Sequence, residues 1–147
     1  MELKAVTYEK NGNVATVTLN RPDQDNAINN QMREELSQVW ADFKEDDDMW
    51  VAVLTGNGPS FCVGLDRAER APGGPPKPRL SDKDEGFRQI TSKHLTCWKP
   101  VVLAVNGDCV GGALHFVADS DIVICSDNAT FYDRHPEGGA AAVWEPI

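Results

Sequence analysis

The residues best suited to chemistry lie in one stretch, VVLAVNGDCVGGALHF, residues 101–116. Five apolar residues run into Asn106-Gly107, a glycine pair follows, and His115 stands three residues past Gly112. At that spacing Gly112 and His115 share one face of a helix. The first turn of a helix has N–H groups without intrahelical partners, and its dipole favours negative charge. Glycine there admits a ligand closely, because no Cβ intervenes. Such a turn can receive a developing oxyanion when a second donor faces it. Imidazole both donates and accepts, and it exchanges protons near neutral pH. The same residues also fit a plainer reading, in which the glycines permit tight helix–strand packing and His115 is a partly buried structural side chain.

Other chemistries fail on named residues. A GxGxxG dinucleotide fingerprint from Gly56 needs glycine at 61, where Phe61 stands. A phosphate-binding GxxxxGK loop from Gly107 has Gly112 in place but Ala113 where lysine is required. Cysteines at 62, 97, 109 and 125 form no CxxC pair and have no histidines at zinc-ligand spacing, so no metal site is expected. They read as small buried hydrophobes in a reducing compartment, with the cytoplasm as the expected location. A formal net charge of −9, from 23 acidic and 14 basic residues, argues against a nucleic-acid surface. No apolar run approaches a membrane span, and MELKAVTYEK lacks a signal-peptide core.

The elements that must position these residues follow from hydrophobic pattern. Residues 13–20 alternate, with Ala15, Val17 and Leu19 on one face, which predicts a half-buried strand. RPDQDN is a loop. Residues 30–44 carry Met32, Leu36, Val39, Trp40 and Phe43 on one stripe, an amphipathic helix capped by Asn29 or Asn30. The acidic run at 45–48 ends it as a solvated terminus. WVAVLTG at 50–56, VVLAV at 101–105 and DIVIC at 121–125 read as strands covered on both faces. Residues 70–80, with four prolines and two glycines, predict a mobile loop bordering the ligand entrance. A second helix is expected over 83–96, a short one at GGALHFVAD, a short strand at ATFYD and a helix start at GGAAAVW. Strand and helix alternate, so the fold class is α/β in a single domain; 147 residues suffice for one core.

Three blocks together resemble a known family. TGNGPSFCVGLD (55–66) and KPVVLAVNGDCVGGALHFVADSDIVICSDNATF (99–131) are similar to the two signature segments of the enoyl-CoA hydratase/isomerase family, the crotonases. TLNRPDQDNAINNQM (18–32) resembles that family's N-terminal segment, where coenzyme A is contacted. The resemblance implies a crotonase-like spiral of repeated β-β-α units, with residues 1–147 as its N-terminal core and the C-terminal helical portion missing or truncated. It implies that the Leu65 and Gly112 N–H groups face a thioester oxygen as it becomes an enolate. It also implies coenzyme A contacts at Asn26, Ala27, Ile28, Val63 and Asp66. Basic residues such as Arg21, Arg67 and Lys99 suit its phosphates but are too ordinary to discriminate.

The sequence departs from the family's two glutamates. The first position holds His115. The second, read without gaps, holds His135; Glu137 takes it only if two residues are inserted. Histidines keep proton transfer at the α-carbon available, whereas addition of water by a two-glutamate route does not follow. The resemblance implies no permanently bound cofactor, coenzyme A entering as part of the substrate. A full-length relative is expected to be a homotrimer or hexamer, and this chain alone is not expected to form a stable trimer. Two other readings stay open: a truncated, non-catalytic paralogue that binds acyl-CoA or a partner protein, and a C–C bond hydrolase acting without coenzyme A.

Overall fold

In the computed structural model of the chain, which describes residues 1–70, 90–134 and 136, a mostly parallel sheet carries a long helix. The strands β1 (Val6–Asn11) and β2 (Val14–Leu19) form an antiparallel hairpin. Gly12 sits at its turn with φ +58°, the left-handed conformation that glycine adopts without a Cβ clash. Helix α1 (Asn30–Glu45) crosses over to β3 (Val51–Gly56), which pairs in parallel with β2. Strand β4 (Val101–Val105) pairs in parallel with β3, and β6 (Ile122–Cys125) with β4, giving the order β1-β2-β3-β4-β6. A second small sheet joins β5 (Cys109–Val110) to β7 (Phe131–Tyr132). Between β5 and β6 lie a 3-10 turn (Gly111–Ala113) and the short helix α2 (Leu114–Asp119).

The expected stripe of α1 is its buried face. Met32, Leu36, Val39, Trp40 and Phe43 join Ala15, Val17, Leu19, Ala52, Leu54 and Leu103 in one core, each at most 1% exposed. Burial of a large apolar side chain of this kind contributes about 1.5–3 kcal/mol relative to exposure. Asn29 caps the helix, its side chain accepting the Met32 N–H at 2.8 Å. The Glu69 carboxylate reinforces that end by accepting the Asn30 N–H, the sign that a helix N-terminus favours. At the other end the Lys99 ammonium donates to the carbonyls of Phe43 (2.9 Å) and Asp46 (2.6 Å). Lys99 is therefore a helix C-terminal brace. The buried Glu35 carboxylate accepts the N–H groups of Lys4, Ala5 and Val6 and fastens the chain ahead of β1.

Several expectations need correction. Strands β3 and β4 are not covered equally on both faces: Ala52, Leu54, Val101, Leu103 and Val105 are buried, while Val51, Val53, Val102 and Ala104 are only partly so. Strand β6 was expected to be buried, yet Ile122 is 57% and Ile124 56% exposed. It lies at the end of the sheet order, beside β4. Cys125 on that strand is exposed, unlike Cys62, Cys97 and Cys109. Of the helix expected over 83–96, residues 83–89 fall outside the described residues. The remainder turns rather than winds: a 3-10 turn (Lys93–Leu95) closes on Thr96, which has φ +56°. The loop at 71–80 and the helix start at GGAAAVW also lie outside the described residues. Strand β1 was not anticipated at all.

Candidate active site

The segment after β3 is stitched between two others. On one side the Cys62 N–H donates to the Asp108 carbonyl and the Cys62 carbonyl accepts the Val110 N–H, both at 2.9 Å. On the other, the Ile28 N–H donates to the Gly64 carbonyl (2.7 Å) and the Asp66 N–H to the Ile28 carbonyl (3.0 Å). These two bonds bracket Leu65 in a parallel bridge with Ile28. Successive peptide groups of an extended chain point to opposite sides, so the Leu65 N–H is turned away from Ile28. A methyl built on Gly112 would lie 3.5 Å from Leu65 Cγ and 3.9 Å from its backbone nitrogen. The fold thus brings Leu65 and Gly112 together, and neither N–H donates a hydrogen bond among the described residues.

Glycines make that approach possible. Gly64 has φ +85°, and a Cβ there would stand 2.6 Å from the Val110 carbonyl oxygen and 3.1 Å from the Gly112 nitrogen. At Gly107 a Cβ would fall 1.9 Å from the Pro59 carbonyl oxygen. Both positions are closed to any side chain unless backbone moves.

The neighbouring segment is held by Asn26, which is fully buried. Its Oδ1 accepts the Arg21 N–H at 2.8 Å, and its Nδ2 donates to the carbonyls of Asn57 (2.8 Å) and Ser60 (2.9 Å). Ala27 and Ile28 are buried as well. Asn26 and Ile28 have no exposed surface, and Ala27 keeps 7%. Asp66 accepts from the Arg21 guanidinium at 3.0 Å and from the Ala68 N–H; Arg21 also donates to the Ala27 carbonyl. Val63 is half-buried, its N–H bonded to the Asp25 carbonyl. Arg67 is exposed.

His115 is half-buried on α2, one residue into the helix that follows the Gly112 turn. Its ring meets that of His94 edge-on, with centroids 6.3 Å apart and planes inclined at 60°. His94 Nε2 stands 3.5 Å from Asp119 Oδ2, which also accepts from Thr91 Oγ1 at 2.7 Å. The sequence reading missed His94, Asp119 and Thr91. Asp119 stands four residues past His115 on the same helix, a spacing that could have flagged it; His94 and Thr91 have no such signal, and only the packing of the 91–95 turn on α2 brings them there. His135 and Glu137 lie outside the described residues. Burial pushes the Cys62 thiol up to about 12, which leaves it protonated and unreactive beside the site. No helix among the described residues is long and apolar enough to cross a membrane.

Comparisons with known proteins converge on one family. The enoyl-CoA hydratase/isomerase profile matches residues 9–144. The chain is 39% identical to an (E)-benzylidenesuccinyl-CoA hydratase of Thauera aromatica over 127 residues, 86% of this chain and 48% of that protein. It is 37% identical to a short-chain-enoyl-CoA hydratase of Clostridium acetobutylicum over 144 residues, 95% of this chain and 52% of that protein. The crystal structure of an enoyl-CoA hydratase/isomerase from Mycobacterium paratuberculosis superposes with a TM-score of 0.86 at 38% identity, covering 98% of this chain and 56% of that one. The chain spans about half the length of the curated relatives it matches.

Proposed function

Because the chain belongs to the enoyl-CoA hydratase/isomerase family, we propose that it processes acyl-CoA thioesters by stabilising an enolate on the N–H groups of Leu65 and Gly112. The observation that carries this reading is the meeting of those two backbone donors across Gly64. As a proton leaves the α-carbon, the C–H electron pair passes into the enolate and charge collects on the thioester oxygen. Two fixed N–H donors aimed at that oxygen lower the barrier, and losing one typically costs ~10²–10³ in rate. His115 is the proposed proton acceptor. Neutral imidazole takes the α-proton, becomes imidazolium, and returns the proton to the carbon or delivers it elsewhere along the acyl chain. With histidine at this position, proton transfer and isomerisation are better supported than direct hydration. His135 is the proposed second acid–base group, in preference to Glu137. Coenzyme A is proposed to run past residues 26–28 and 63–66, carried as part of the substrate with no separate cofactor, in a cytoplasmic setting.

Calorimetric titration with acetyl-CoA and free coenzyme A, followed by exchange of α-hydrogens with D2O and hydration of crotonyl-CoA, tests the proposal. Binding with exchange that His115→Ala abolishes is the expected result. Binding without any turnover would favour a non-catalytic acyl-CoA-binding protein. Absence of binding would refute the coenzyme A assignment and leave a hydrolase acting without it.

A further inference from the structure

The cluster beside His115 has an arrangement that packing alone does not require. Thr91 is 3% exposed, and its hydroxyl donates to Asp119 Oδ2 at 2.7 Å while receiving the His94 N–H at 3.4 Å. One side chain therefore fixes both the carboxylate and the backbone that carries His94. Asp119 and His115 lie four residues apart on α2, on one face of the helix. His94 reaches that face from a separate turn, between the carboxylate at 3.5 Å and the His115 ring at 6.3 Å.

We infer that His94 and Asp119 are positioning residues for His115, a carboxylate–imidazole pair that holds the His115 ring in place and stabilises the positive charge it gains during proton transfer. This rests on the proposed role of His115. His94 acts through the His115 ring it borders, and Asp119 acts through His94. Asp119 places a carboxylate at one side of the His94 ring, and that ring packs edge-on against His115. A general base gains from such a partner because the imidazolium is formed only in the reaction, so the stabilisation favours the transition state over the ground state.

The test compares wild type, Asp119→Asn and His94→Gln in the exchange of the α-hydrogens of acetyl-CoA and butyryl-CoA for solvent deuterium, followed by mass spectrometry. KM, the Kd for the same thioesters and thermal melting are measured alongside. Asp119→Asn keeps the shape of the side chain and an oxygen for Thr91, and removes only the charge. The expected result is a fall in kcat of ~10–100-fold in each variant, the scale of a catalytic group held out of line by about an ångström. KM, Kd and melting should stay close to wild type. In a His115→Ala background the same substitutions should add little, because their effect runs through the missing ring. Wild-type exchange by both variants overturns the inference, as does a loss seen in KM, Kd and melting rather than kcat. Exchange undiminished by His115→Ala, or absent from wild type, overturns the proposed function and this inference together.

Discussion

Replacing Gly64 by alanine tests the closest approach in the site. The new Cβ would stand 2.6 Å from the Val110 carbonyl oxygen, and ordinary contact begins near 3.4 Å, so the two segments must part by 0.8 Å. Alanine at φ +85° also takes on the left-handed conformation, which costs a residue with a Cβ ~1–2 kcal/mol. Overpacking against backbone costs a further ~1–3 kcal/mol. Gly64→Ala should therefore lose ~2–5 kcal/mol in guanidinium unfolding followed by circular dichroism, a large share of the ~5–15 kcal/mol that holds a typical domain. The reference variant is Gly12→Ala, where φ is +58° and nothing lies within 4 Å of the added methyl. It carries the backbone term without the collision. The same parting would draw Gly112 away from Leu65, and α-hydrogen exchange should fall ~10–100-fold. A Gly64→Ala protein no less stable than Gly12→Ala, with exchange intact, would refute the close packing from which the paired donors are inferred.

Asn26→Ala should cost ~3 kcal/mol in the same unfolding assay, because it strands the Arg21 N–H and the Asn57 and Ser60 carbonyls; a loss under half of that would contradict the hub role. The Val101 N–H holds the Asp121 carboxyl below the usual carboxylate range. Its stabilisation is thus present above the unfolded value near ~3.9 and lost as pH falls through the lower folded value. Asp121→Asn should melt below wild type at pH 7 and level with it in acid beneath the folded value; a gap that persists there speaks against the linkage. Iodoacetamide at neutral pH should label Cys125 in the folded chain and spare Cys62, Cys97 and Cys109 until denaturant is added. Peptide mapping showing early label on Cys62 would contradict its burial.

Periodicity made α1, β2 and the buried faces of β3 and β4 legible, since each repeats an apolar residue at the pitch of its own element. Strand β1 escaped because VTYEKN exposes Glu9 and Lys10 and carries no clean alternation. The signal that marks it is the turn: Asn11 and Val14 pair across Gly12 and Asn13, a two-residue hairpin loop with glycine first. DIVIC misled in the opposite direction. An apolar run records that a segment is suited to cover, and β6 at the end of the sheet order has little of it among the described residues. In the site, Gly112 was legible from the glycine turn ahead of His115, whereas Leu65 was reached only through resemblance; geometry then showed their proximity. The His94–Asp119 pair was illegible, because it depends on a left-handed residue, Thr96, ending a turn where pattern suggested a helix.

The hydrogen bonds that tie residues 62–66 to Ile28, Asp108 and Val110 run between peptide groups, and this has a consequence for how the site would look in a mutational scan. Alanine scanning reads side chains, whereas the proposed donors at 65 and 112 offer only main chain. Leu65→Ala would trim some packing and leave its N–H in place. The intolerant positions would instead be Gly64 and Gly107, where a single added carbon collides with Val110 or Pro59. A map of such a scan would therefore show a cold centre ringed by intolerant glycines. Replacing the amide of residue 65 by an ester, through semisynthesis, would remove the N–H without touching any side chain and expose the centre directly.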